Sequence, residues 1–172
     1  MKIIEALKKI KDLKRKADDL KEKIGKYCAD LDCDTPTYPD QRREVEKWLQ
    51  SHSDIIKEIC HLRTAISRTN LMTDVAIELG GKYVTKCIAE WIHRRKDLAK
   101  EEEQAWRKLN DKGLGEEYRR RFTEKSPEVV IKRRLYFDAS QRDNMVELYR
   151  SEPSIIDATL EITNAVTDLI EK

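Results

Sequence analysis

Long apolar runs are missing from this chain. No stretch approaches the roughly 20 residues that a membrane-crossing helix needs, which argues against an integral membrane protein. The first residues alternate Lys with Ile and Leu, as in "MKIIEALKKIKDL". They lack the continuous apolar segment of a secretory signal, so a cytoplasmic protein is expected. Aromatic residues are also scarce, at 6% of 172 residues. An excess of one charge is lacking too: 35 basic and 33 acidic residues leave a net charge of +2. No global field therefore draws the chain to nucleic acid or acidic lipid. Cysteines number four (Cys28, Cys33, Cys60 and Cys87) and are scattered through a chain large enough to fold without staples. They read as reduced thiols, although Cys28 and Cys33 flank an acidic loop and could pair on oxidation.

Catalytic signatures are missing as well. There is no Gly-x-Ser-x-Gly elbow, no P-loop and no dinucleotide glycine fingerprint. Neither Cys-x-x-Cys nor His-x-x-x-His occurs, and Cys87 and His93 are too far apart on a helix to converge. A zinc or iron site would have to gather its ligands from separate helices. No cofactor and no metal are expected, and no reaction is nominated.

What the chain has in abundance is charge, 40% of its residues. That composition fits long helices or disorder, and periodicity decides for helices. A first helix over about residues 2–30 carries apolar residues at Ile3, Leu7, Ile10, Leu13, Ala17, Leu20, Ile24, Tyr27 and Leu31. Beyond Leu13 these follow a heptad rhythm. Residues 1–27 hold ten Lys/Arg against five Asp/Glu, so this arm is locally +5. The stretch "DLDCDTPTYPD" has four Asp and two Pro and must be a loop, with Asp40 placed to cap the second helix. That helix, about 41–70, has the most regular pattern: Val45, Trp48, His52, Ile55, Ile59, Leu62, Ile66, Thr69. A short loop between two such helices predicts an antiparallel hairpin.

The period then changes. "DVAIELGGKYV", about 74–84, reads as a β-hairpin turning on Gly80-Gly81. Thr85 opens a third helix to about 110, with Ile88, Trp91, Leu98, Ala105 and Leu109 inward and with Arg95 and Glu102 on the same stripe. Residues 129–137 alternate in the manner of one extra short strand. Asp138 caps a last helix, about 139–170, whose stripe is Met145, Leu148, Glu152, Ile155, Thr159, Ile162, Val166 and Leu169. Pro153 inside it predicts a kink or a break. The expected fold is mainly α: an antiparallel four-helix bundle or coiled coil with a small β-hairpin plus the extra strand, in a single domain over 1–172. Narrow heptad helices with few aromatics usually need partners, so a homo-oligomer built through the heptad stripes is expected.

Three sets of polar residues stand out. The string Thr-Asn-x-x-Thr occurs at 69–73 and again at 163–167. Asn70, Thr73, Asn164 and Thr167 would place polar groups in an apolar layer, where each needs a partner and can fix register. The plainer reading of Asn70 is that it ends its helix. His52 lies on the second helix's stripe. It is either a pH-sensitive or ligating histidine or a histidine bonded to a neighbour at the bundle's end. Basic clusters form the third set: "HRRK" at 93–96, Arg119, Arg120 and Arg121, and Lys132, Arg133 and Arg134, interleaved with Tyr118, Phe122, Tyr136 and Phe137. Basic side chains contact phosphates and aromatics stack on unpaired bases. The plainer reading is a solvated face balanced by the acids.

The segment "ISRTNLMTDVAIELGGKYVTKCIAEWIHRRKDLA" at 66–99 resembles the septicolysin family of small, largely uncharacterised bacterial helical proteins. Arg68, Thr69, Asn70, Thr73, Gly81, Thr85, Ala89 and Asp97 carry the resemblance. "EITNAVTDLIE" adds Asn164, Thr167, Asp168 and Leu169. The family's name implies a membrane-active cytolysin. The residues themselves favour a non-enzymatic, homo-oligomeric structural or interaction protein, with a nucleic-acid-binding accessory protein using 118–137 as the alternative.

Overall fold

The computed structural model describes residues 1–112 and 134–171. Along the chain these form α1 (Ile3–Tyr27), α2 (Gln41–Met72), β1 (Asp74–Leu79), β2 (Lys82–Cys87), α3 (Ile88–His93), a π-helical turn (Arg94–Leu98), α4 (Ala99–Arg107) and α5 (Ala139–Val166). The protein is thus mainly helical, with one two-stranded sheet of β1 and β2 among the described residues. It divides into two compact units. The first gathers Met1–Asp74, Cys87–Ala89 and Leu160–Lys172, the second Val75–Lys86 and Glu90–Thr159.

The first unit is organised by α1 and α2. Ala6, Ile10 and Leu13 pack with Ile59 and Leu62, and Ile55, Ile66 and Leu169 close the cluster. Burial of each large aliphatic chain contributes about 1.5–3 kcal/mol. Lys9 Nζ meets Glu58 Oε1 at 2.6 Å, while the Tyr27 and Trp48 rings lie 5.8 Å apart. Rising numbers on α1 therefore meet falling numbers on α2, and the two helices run antiparallel. The α2 stripe is as the heptad rhythm reads. On α1 one position differs: Ala6 is buried and Leu7 is 46% exposed. At 3.6 residues per turn, residue 6 lies nearer than residue 7 to the stripe through 3, 10, 13 and 17. Helix α1 also stops at Tyr27, short of residue 30, and Leu31 is exposed in the loop. The Gln41 side chain ties that loop down. It accepts from Tyr38 N–H at 3.1 Å and donates to the Tyr27 carbonyl at 2.9 Å. Asp40 Oδ1 caps α2 by accepting from Arg43 N–H at 3.0 Å.

The C-terminal stretch corrects the expected helix to residue 170. Helix α5 ends at Val166, and Lys2 and Asp168 form an antiparallel bridge. Ile3 N–H donates to the Thr167 carbonyl at 3.0 Å, and Leu169 N–H to the Met1 carbonyl at 2.9 Å. Extension lets Leu169 reach the α1–α2 core while these backbone groups find partners outside a helix.

In the second unit, Gly80 (φ 57°) and Gly81 (φ 76°) both sit in the left-handed region, as a two-residue hairpin turn requires. Ile77 and Trp91 are buried, and the Trp91 indole N–H donates to the Val75 carbonyl at 2.9 Å. Thr85 belongs to β2 and does not open a helix; the helical stretch starts at Ile88.

The π turn corrects the third helix. A π turn carries one residue more than an α turn, so the inward positions advance by one. Ala99 is buried in place of Leu98, which is 47% exposed, and Glu103 and Trp106 are half-buried in place of Glu102 and Ala105. Helix α5 continues through Pro153 without a break, and Glu152 and Ile156 on either side of it are fully buried. Ile156, not Ile155, faces inward. Asp138 Oδ1 accepts from Gln141 N–H at 3.0 Å and caps the helix as expected. Of the strand expected at 129–137, residues 134–137 are described and form no strand. The remainder lies outside the described residues.

Candidate functional site

The first unit holds the polar residues of the two Thr-Asn-x-x-Thr strings. Their anchor is Thr69, which is fully buried. Its hydroxyl donates to the Ala65 carbonyl at 2.8 Å and accepts from Ile170 N–H at 2.9 Å. A single buried side chain thereby joins α2 to the extended C-terminal stretch. Asn70 is half-buried, and its Oδ1 is enclosed without a hydrogen-bond partner. Thr73 ends α2: its N–H donates to the Thr69 carbonyl, and its own carbonyl accepts from Ile88 N–H, both at 3.0 Å. Asn164 is half-buried. Thr167 donates its N–H to the Thr163 carbonyl at 2.9 Å and takes Ile3 N–H on its own carbonyl. Lys2 Nζ completes the junction, donating to the Val166 carbonyl at 2.7 Å and to Asp168 Oδ2 at 2.6 Å. That bond holds the Asp168 carboxyl below its ordinary value of 3.8.

His52 stands apart from this junction. It is half-buried on α2, about 25 Å along the helix from Thr69 at 1.5 Å per residue. Asp18 feels it, but the Asp18 carboxyl is held low mainly by its hydrogen bond to Lys21.

The second unit contains a buried ion pair. Glu152 is 1% exposed and receives the Arg94 guanidinium through two bonds of 2.6 Å, Nε to Oε1 and Nη2 to Oε2. This fork geometry is the strongest form such a pair takes. Arg94 also lies over the Tyr149 ring at 5.6 Å and within 3.9 Å of Glu102. The bond to Glu152 raises the Arg94 pKa, and burial, followed by the charge of Glu102, raises that of the Tyr149 phenol. Arg94 is the first residue of the π turn. The pair's one sequence signal is the position of Glu152 in an apolar stripe, where a charge requires a counterion. The pair occupies both carboxylate oxygens of Glu152 and two of the guanidinium's N–H groups.

The basic clusters divide. Arg119, Arg120, Arg121, Lys132 and Arg133 lie outside the described residues. Arg134 is exposed and Tyr136 is 90% exposed. Within "HRRK", Arg94 is taken by Glu152 and Arg95 by Asp157 at 2.6 Å, which leaves His93 and Lys96 on the surface. Two Glu-x-x-His spacings exist, Glu58 with His61 and Glu90 with His93. Among the described residues no group of three or more His, Cys, Asp or Glu gathers to hold a metal. Nor is any described helix long and apolar enough to cross a membrane.

Comparison with known protein families and with curated proteins finds no match. One solved structure, a functionally unknown conserved protein from Corynebacterium diphtheriae, is similar in fold. Its TM-score is 0.57 at 19% identity, with 99% of each chain covered. At that identity the likeness concerns the fold and transfers no site residue.

Proposed function

We propose that this chain is a non-enzymatic helical interaction protein that works as an assembly of its own copies. The observation that carries this reading is the exposure of large apolar side chains on ordered helix surface: Ile162 at 69%, Val166 at 63%, Leu71 at 66% and Met72 at 68%. Helices so placed lose stability to water contact unless another surface covers them. The near-balance of 35 basic and 33 acidic residues also keeps like-charged copies from repelling strongly. In the finer reading, α1 and α2 pack as an antiparallel coiled coil within a bundle, which their heptad core supports. Membership of the septicolysin-like group belongs to the same proposal and rests on Arg68 to Thr73 and Asn164 to Leu169. The test is multi-angle light scattering on the full chain across micromolar concentrations. A mass at a multiple of the single chain is expected. A monomer that persists to about 100 μM, an affinity weaker than roughly 5.5 kcal/mol, overturns the proposal.

A further inference from the structure

The two flanks of the α1–α2 hairpin differ. On one flank, residues immediately before the stripe face each other, and Lys9 closes on Glu58 at 2.6 Å. On the other flank lie the residues immediately after the stripe: Leu7, Lys14 and Lys21 on α1, and Leu49, Ile56 and Arg63 on α2. The antiparallel alignment brings these two rows side by side, and Lys14, Ile56, Ile59, Cys60, Arg63 and Thr64 line an open groove of about 450 Å³. Leu7, Leu49 and Ile56 are 46%, 52% and 47% exposed. Lys21 is neutralised by Asp18 at 2.6 Å, whereas Lys14 and Arg63 form no ion pair with a described carboxylate. This flank is an apolar strip with two positive charges that no described carboxylate contacts directly, Lys14 being one helical turn from Asp18.

The same unit displays the complement. Over its last turns α5 exposes Glu161, Ile162, Ala165 and Val166 as one contiguous face. Residues 160–171 contain three acids and no base. Asp168 is already bound to Lys2, and Glu161 pairs with no described base. Ile162 and Val166 stay exposed although the stretch that follows them is tied to Ile3 and Thr69, so this face does not fold back onto its own molecule.

We propose that the Lys14–Ile56–Arg63 groove of one copy receives the Glu161–Ile162–Val166 face of α5 from a second copy. This rests on the self-association proposed above and names its surfaces. An amphipathic helix laid in a groove takes its affinity from apolar anchors and its register from flanking charges. Because groove and helix face are different surfaces, the contact is head-to-tail, so it closes into a ring or continues as a filament.

Charge exchange tests it on the full chain, with association followed by light scattering and folding by circular dichroism. Variant K14E/R63E and variant E161K are each expected to associate about tenfold more weakly than wild type. Mixed together they recover association, since an acidic groove then meets a basic helix face; the conservative K14R/R63K retains wild-type behaviour. An oligomeric wild type whose folded variants associate unchanged overturns the assignment of surfaces while self-association stands. A monomeric wild type overturns both. A monomer that binds phosphatidylserine vesicles through Lys14 and Arg63 makes the groove a lipid-facing surface and also overturns the proposal.

Discussion

The α1–α2 core is built from Ala6, Ile10, Leu13, Ile59 and Leu62, whereas the second unit buries the charged Glu152 as fully as it does Ile77, Trp91 and Ile156. The apolar core needs only volume and spacing, and neighbouring aliphatics substitute for one another at modest cost. The charged one depends on a single atom-to-atom match. A carboxylate taken from water is tolerated because Arg94 supplies two short bonds and its charge. The first arrangement can be read from periodicity and the second cannot, because it depends on two residues 58 positions apart meeting.

Three experiments probe that difference, the largest effect first. Arg94→Met leaves Glu152 buried and uncompensated, and should cost about 3–5 kcal/mol in urea unfolding. The double variant R94M/E152L should recover most of this. A single-variant loss below about 1 kcal/mol would mean that water already reaches the carboxylate. Next comes Thr69→Val, which removes the acceptor of Ile170 N–H and should cost about 1–3 kcal/mol. Amide exchange at Ile170 should accelerate, while Thr69→Ser leaves it slow; equal exchange in both variants would remove Thr69 from its joining role. The smallest effect belongs to Asp168. Its folded carboxyl lies below the ordinary 3.8 because of the Lys2 bond, so the stabilisation is present above that value and fades as pH falls through the lower folded one. Thermal unfolding should show Asp168→Asn losing part of the acid sensitivity below about pH 4. Identical acid profiles for wild type and variant would contradict this.

The sequence is legible where one face alone is apolar. Val45 to Thr69 keeps its stripe in the structure, and Gly80-Gly81 and the caps at Asp40 and Asp138 follow from local chemistry. Three features are hidden for physical reasons. An i→i+5 turn has no residue signature, so the periodicity points Leu98 inward in place of Ala99. The end of α5 carries apolar residues on two faces, and Ile155, Ile162 and Val166 match a heptad as well as Ile156 and Leu160 do; only the neighbouring packing selects between them. "TDLIE" is compatible with a helix and becomes extended because α1 offers it backbone partners. The strings at 69–73 and 163–167 both lie at the junction of α2 with the C-terminal stretch, where the joining residue is Thr69. Arg94 is invisible in the sequence because its partner lies 58 residues away.

The bridge between Lys2 and Asp168 also bears on the order in which the molecule assembles. These residues are 166 positions apart, whereas α1 meets α2 across a single short loop. Closing a loop grows more costly with its length, by about 0.6 kcal/mol per doubling, so the bridge is worth forming only once the hairpin has drawn α1 into place. Contacts of such separation are expected to form on the late side of the folding barrier. Bonds formed there slow the opening of the finished protein more than they speed its formation, so this short pairing acts as a latch that keeps Leu169 against the α1–α2 core.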